Sequence, residues 1–276
     1  MTKILVPTDF SPTAETAFRF AVKLAGKTGS EVVLYHVFTP LENPYIDTLE
    51  KRDAYNLKMT SELKQQLEDL RNSVAADHIT VPITTALGRS PIIDTILNYA
   101  EENGFGMIIM GTQGASGIKK VVIGSQAARI IEDSEIPVLL VPENFIGNIP
   151  QKVLFATTCN VRDKEPISTV LNWIAPMHPK FSIVHICEDE TVESHATLKD
   201  YESAIPAAFN KSDVSFKRIS SSYAVETMEQ LGTKFPYDML AMIRRKKNFF
   251  GRIFMKSLSR DMAYLTKYPL LVIPEK

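Results

Sequence analysis

Two cysteines among 276 residues are too few for a disulfide framework, or for a four-ligand zinc site on their own. Neither sign of charge dominates. Lys and Arg number 31 against 32 Asp and Glu, a net charge of −1, so no global field favours nucleic acid or a membrane surface. No apolar run approaches the ~18 residues of a membrane span. Ile4-Leu5-Val6-Pro7 follows Met1-Thr2-Lys3 but is too short for a signal-peptide core and is closed at once by Asp9. These absences lead us to expect a cytoplasmic protein. What is there, 45% hydrophobic and 23% charged residues, is the composition of a globular chain, and the length predicts two domains.

The sequence repeats itself once. Lys3-Ile-Leu-Val-Pro-Thr-Asp-Phe-Ser11 recurs as Lys152-Val-Leu-Phe-Ala-Thr-Thr-Cys-Asn160. Glu31 to Phe38 recurs as Lys180 to Cys187 at the same offset of 149 residues. Gly106-Met-Ile-Ile-Met110 answers Asp238-Met-Leu-Ala-Met242, and Ile136 to Pro142 answers Tyr268 to Pro274, both at an offset of 132. The second copy is therefore 17 residues shorter between its second and fourth strands. Each unit is too long for a solenoid repeat, which predicts duplicated domains over 1–146 and 147–276 with Asn144–Gln151 as the linker.

In the first copy, Ile4–Thr8, Val32–Phe38, Ile79–Thr85, Met107–Met110 and Val138–Val141 read as strands. The first and last are apolar throughout, as parallel strands buried on both faces must be. Ala14, Ala17, Phe18, Ala21, Val22 and Ala25 mark the buried face of a helix, with Ser11 as its cap and Pro12 at its first position. Ser90-Pro91 repeats that signal, Asp47–Ala76 supplies a long polar helix and Ser125–Asp133 a fourth. The alternation predicts an α/β fold of two doubly wound, five-stranded parallel sheets.

The chemistry concentrates after the fourth strand. Gly111-Thr-Gln-Gly114, nine residues, then Gly124-Ser125 opening a helix would let backbone N–H groups approach an anion, either through positive φ at the glycines or at the helix N-terminus. Asp9 ends the first strand and would lie nearby if the first and fourth strands are neighbours, because open α/β sheets bind ligands where strand order reverses. A carboxylate there accepts hydrogen bonds from a ribose diol or coordinates a cation. The plainer alternative makes the glycines a turn and Asp9 a helix cap.

The tandem copies, Val6-Pro-Thr-Asp9, Gly88 and the Gly-2x-Gly-9x-Gly-Ser spacing resemble the universal stress protein family. The resemblance implies a Rossmann-like sheet of order 3-2-1-4-5 in each domain, with the terminal strands pairing between domains as they do in homodimers. It further implies ATP as ligand, with Mg²⁺ as an accompanying ion. On that basis Pro7, Thr8 and Asp9 line the adenosine side, Val37 touches adenine, and Met110, Gly111, Gly114, Gly124, Ser125 and Gln126 surround ribose and phosphates. Gln126 departs from the small apolar residue common in the family. The implied role is a stress-response regulator or sensor that binds adenine nucleotide and a protein partner, with a homodimer as the expected assembly. A nucleotide-independent scaffold is one alternative. Slow ATP hydrolysis or self-phosphorylation on Ser125 is another. No Gly-x₄-Gly-Lys-Ser/Thr, complete dinucleotide fingerprint, Ser-Gly-Gly or His-x-Gly-His is present to suggest faster chemistry.

The second copy lacks this equipment. Ala156 replaces Pro7, Thr158 replaces Asp9, Ile243-Arg-Arg-Lys246 replaces the first two glycines, and Lys256-Ser257 replaces Gly124-Ser125. Residues 1–146 carry 13 basic and 18 acidic side chains, and residues 147–276 carry 18 and 14. Arg244 to Arg260 holds seven cations and no acid. That stretch reads first as a solvated loop, second as a side-chain anion site and third, with Phe249, Phe250 and Phe254, as a single-strand nucleic-acid surface. The overall balance argues against the third. Cys159 and Cys187 read as inert thiols, with a redox pair as the alternative, and His36 and His185 as core or crevice-wall residues.

Overall fold

The computed structural model describes residues 2–42, 48–75, 80–112, 123–145, 148–157, 163–187, 203, 205, 213–220, 235–245 and 268–275. Its first half runs β1 (Lys3–Pro7), α1 (Pro12–Thr28), β2 (Glu31–Phe38), α2 (Leu49–Ala75), β3 (Ile83–Arg89), α3 (Ile92–Glu102), β4 (Met107–Gly111), α4 (Ser125–Asp133) and β5 (Val138–Val141). The second half supplies β6 (Lys152–Thr157), α5 (Lys164–Ile174) with a 3₁₀ turn at Ala175–Met177, β7 (Lys180–Cys187), β8 (Val214–Ser220), β9 (Met239–Arg244) and β10 (Leu270–Pro274). Among the described residues no helix is long and apolar enough to cross a membrane.

All ten strands join one sheet in the order β3-β2-β1-β4-β5-β10-β9-β6-β7-β8. Each half thus has the expected order 3-2-1-4-5, and every pairing within a half is parallel. The halves meet through β5 and β10, which pair antiparallel with Leu271 opposite Leu139. Every residue of β5 and β10 is buried, so these two short apolar strands remove the edge each would otherwise expose. Side chains alternate between two cores. Ile4 and Val6 join α1, α2 and α5 on one face, while Leu5 joins α3 and α4 on the other, so the continuous apolar run of β1 reflects burial on both sides.

The local signals around α1 act as read. Ser11 is the N-cap, its Oγ accepts the Ala14 N–H at 3.2 Å, Pro12 opens the helix, and Gly29 closes it at φ 65°. Two expectations need correction. The third strand is Ile83–Arg89, not Ile79–Thr85: Pro82 precedes it, and Gly88 and Arg89 are strand residues at the sheet's edge. Ser90 does not cap α3; Pro91 occupies the N-cap position and no side chain caps that end.

Candidate functional site

β1 delivers the chain to a tightly fastened loop. The Thr8 N–H donates to the Tyr35 carbonyl at 2.8 Å, and Thr8 Oγ1 accepts the Phe10 N–H at 3.0 Å. Asp9 Oδ1 accepts the Ser11 N–H at 3.1 Å, so Asp9 makes the cap-like turn of the plainer reading while its side chain stays exposed. Phe10 has φ 62°, a left-handed conformation that costs a bulky residue about 1–3 kcal/mol. His36 Nδ1 lies 2.7 Å from the Thr8 carbonyl oxygen, and because that oxygen only accepts, Nδ1 carries the proton. The Phe10 and His36 rings pack with centroids 4.7 Å apart.

β4 ends beside this loop, since Ile4 pairs with Met107 and Leu5 with Ile108. Gly111 is not in the positive-φ region, which corrects one reason given for a glycine there. A Cβ at Gly111 would sit 2.6 Å from Thr13 Cγ2 and 3.0 Å from the Thr13 backbone, so close approach of α1 selects glycine. Thr112 donates to the Val141 carbonyl at 3.1 Å and accepts from the Gly124 N–H at 2.7 Å, which brings the two ends of segment 113–122 together. Gly114 lies outside the described residues. α4 begins at Ser125 with Gly124 as an extended N-cap, and among the described residues no side chain caps its first turn. The N–H groups of a first helical turn have no intrahelical acceptors, and the helix dipole adds positive potential there.

Between these two loops lies a crevice of about 410 Å³, within the range of small-ligand sites. Pro7, Thr8 and Asp9 form one side, Gly124, Ser125 and Gln126 another, and Val37, Met110 and Gly111 the floor between them. Nine of the ten sequence-predicted residues therefore meet in one place. The reading passed over Tyr35, Ala14 and Thr112, which also line it. Tyr35 was accessible from strand periodicity, because it shares a face with Val37 two residues away. Its ring stacks on Tyr99 with centroids 4.3 Å apart and planes 9° from parallel. Burial, reinforced by the neighbouring Tyr99, raises the Tyr35 pKa above its ordinary value, so the phenol is neutral. The Tyr35 hydroxyl fills the space where a Cβ on Gly88 would stand, which gives Gly88 its reason. Among the described residues no group of three or more His, Cys, Asp or Glu side chains is placed to hold a metal ion.

At the corresponding place in the second half, the described residues hold a buried ion pair. Arg245 reaches from the end of β9 to Asp163, with Nη2 2.6 Å from Oδ1, and Thr157 at the end of β6 donates its hydroxyl to the other oxygen of the same carboxylate. Asp163 is 1% exposed, so this is a buried ion pair. Arg244 donates to the Ser134 carbonyl at 2.7 Å, at the C-terminal cap of α4 in the first half. Burial lowers the Arg244 pKa, while Glu135, Asp133 and Glu132 oppose the shift. The first two cations of the basic stretch are thus internal partners rather than solvated charges, and residues 246–260 lie outside the described set. Thr158 and Cys159 do as well, and only the backbone of Cys187 is described, at the end of β7 beside β6. A second cavity, about 630 Å³, opens where Pro137, Pro166 and Pro274 meet between the halves, and no sequence-predicted site residue lines it.

The first half carries the family's pattern in space as well as in sequence, and the model of the universal stress protein family matches residues 1–142. The chain belongs to the universal stress protein family. Universal stress protein MJ0577 of Methanocaldococcus jannaschii is 30% identical over 159 residues, half of this chain and 93% of that one. Universal stress protein YxiE of Bacillus subtilis is 27% identical over 146 residues, again half of this chain and 97% of its own length. A crystal structure of a universal stress protein from Archaeoglobus fulgidus follows 99% of this chain and 96% of its own with a TM-score of 0.72. At 17% identity that likeness concerns the fold, here over both halves of the ten-stranded sheet.

Proposed function

We propose that residues 1–146 bind an adenine nucleotide, ATP, in the 410 Å³ crevice, and that occupancy sets the state in which residues 147–276 meet a protein partner. The observation that carries this reading is the convergence of two unlike ends on one cavity. Asp9 lies at the end of β1, and the uncapped first turn of α4 lies across from it at the reversal of strand order. Phosphate suits the N–H groups at Ser125 and Gln126, since that of Gly124 is already taken by the Thr112 carbonyl. A ribose diol suits the Asp9 carboxylate, and an adenine ring suits Val37 and Met110. Mg²⁺ would be held by the phosphates with at most Asp9 from the protein, as this ion commonly is. Among the described lining residues the candidate general bases are Asp9 and His36, and binding alone is the proposed activity. A homodimer would need a surface other than the terminal strands, since β5 and β10 already pair within the chain.

Calorimetry with ATP on the purified chain, wild type beside Gly124→Asp, tests this. Asp is a favoured N-cap residue and Gly124 has φ −60°, so the variant keeps its helix while its carboxylate takes the donors and repels phosphate. Saturable one-to-one binding that weakens tenfold or more in the variant is expected. Absence of heat at millimolar ATP, with a normal melting curve, overturns the reading.

A further inference from the structure

Phe10 is an expensive choice where it stands. Its φ of 62° is readily adopted by Gly or Asn and disfavours a bulky side chain, so something must compensate the ring that is there. The compensation is His36. The two rings pack 4.7 Å apart, and His36 in turn donates from Nδ1 to the Thr8 carbonyl at 2.7 Å. Thr8 is held on three sides, by the Tyr35 carbonyl, by His36 and by the Phe10 N–H on its hydroxyl. Asp9 is therefore the one residue between two fastened neighbours, and its own Oδ1 is tied to the Ser11 N–H. An exposed acidic side chain on a free loop would sample many rotamers, whereas the Ser11 N–H holds this one where it lines the crevice.

We infer that Phe10 and His36 are positioning residues, a ring-on-ring clamp that fixes the Asp9 carboxylate at the ribose side of the crevice and so makes the site select ribonucleotides over sugars lacking the diol. This rests on the reading of the crevice as an adenine-nucleotide site and adds to it the feature that discriminates the sugar. The clamp does not touch the phosphate side, which belongs to α4. Its loss should therefore separate sugar selection from phosphate affinity.

The test measures dissociation constants for ATP, 2′,3′-dideoxyATP and inorganic tripolyphosphate, with a melting temperature for each variant. Wild type is expected to prefer ATP over the dideoxy analogue by about tenfold or more, as for hydrogen bonds to a charged acceptor. Phe10→Asn keeps a residue at ease in the left-handed region but removes the ring. His36→Leu removes the donor to Thr8. Both should bring the preference to within about twofold of unity, with tripolyphosphate affinity held within about threefold. Phe10→Tyr, which keeps the ring, and His36→Asn, whose amide nitrogen stands near the Nδ1 position, should restore the preference. Variants that keep the ribose preference while merely melting earlier overturn the proposal, because the rings would then be packing only. Wild-type protein that binds ATP and the dideoxy analogue equally also overturns it. Wild-type protein that binds neither nucleotide sinks the adenine-site reading itself, a different result from either of these, and the clamp with it.

Discussion

The same strand order turns back at two places in one sheet, and the two places are finished differently. In the first half, the ends of β1 and β4 stay apart around a cavity bordered by main-chain donors and an exposed Asp9. In the second, Arg245 crosses the equivalent gap to Asp163, and Thr157 bonds to the same carboxylate. A buried ion pair in low dielectric is held firmly once formed and is costly to break from one side. The two halves thus differ at matching places, one with an open crevice and the other with a buried ion pair. The sharpest break of this contrast is Arg245→Met, which leaves the Asp163 carboxylate buried without its cation. Urea unfolding should show a loss of about 3–5 kcal/mol, with ATP affinity of the first half unchanged. A loss below about 1 kcal/mol would mean that the pair does not hold this part of the second half together.

A smaller effect separates the halves at the sheet edges. Gly88 lies opposite Val37 in β3, and Ile219 holds the matching register position opposite Ile186 in β8. Where the first half has Tyr35, the second has Val184. A Cβ on Gly88 would overlap the Tyr35 hydroxyl and come within 2.8 Å of Thr95 Cγ2. Gly88→Ala should therefore cost about 1–3 kcal/mol through overpacking and displace Tyr35 from the crevice wall. Chemical denaturation gives the first quantity, and near-ultraviolet dichroism of the Tyr35–Tyr99 stack reports the second. Tyr35→Phe in the same chain should recover part of the loss, and no recovery would shift the clash to Thr95.

Much of this was legible because each signal had one physical meaning. Ser11-Pro12 fits only the start of a helix, and the apolar runs at residues 4–7 of β1 and Val138–Val141 of β5 fit only strands covered on both faces. The nine site residues that line one crevice were named from the family resemblance, and they come together because they sit at two strand ends and one helix start. Errors arose where one residue type serves two purposes. Gly88 fell outside the strand read as Ile79–Thr85, whereas it is a strand residue whose lack of a side chain makes room for Tyr35. Ser90-Pro91 copied the Ser11-Pro12 signal without its hydrogen bond, since nothing in the dipeptide says where the serine side chain goes. Arg244 and Arg245 looked solvated in a run of seven cations, and only the fold brings Ser134 and Asp163 to them. Partners 82 and 110 residues away leave no trace in local sequence.

The helices that follow β1 and β6 allow the finest comparison. Ser11 and Asp163 are both residue types favoured at an N-cap, and both stand at that position. Ser11 performs the task, with its Oγ on the Ala14 N–H. Asp163 makes no cap hydrogen bond, because Thr157 and Arg245 engage its carboxylate. The same kind of substitution should therefore report different physics. Ser11→Ala loses one cap, about 1 kcal/mol, which lowers the melting temperature by about 2–4 °C for a domain of this size. Asp163→Asn keeps a good cap residue and still forfeits the ion pair, so its loss should exceed that of Ser11→Ala by about 2 kcal/mol. A loss near zero for Asp163→Asn in parallel calorimetric scans would show that Asp163 acts only as a cap, a task asparagine performs as well, and that the ion pair with Arg245 holds nothing together.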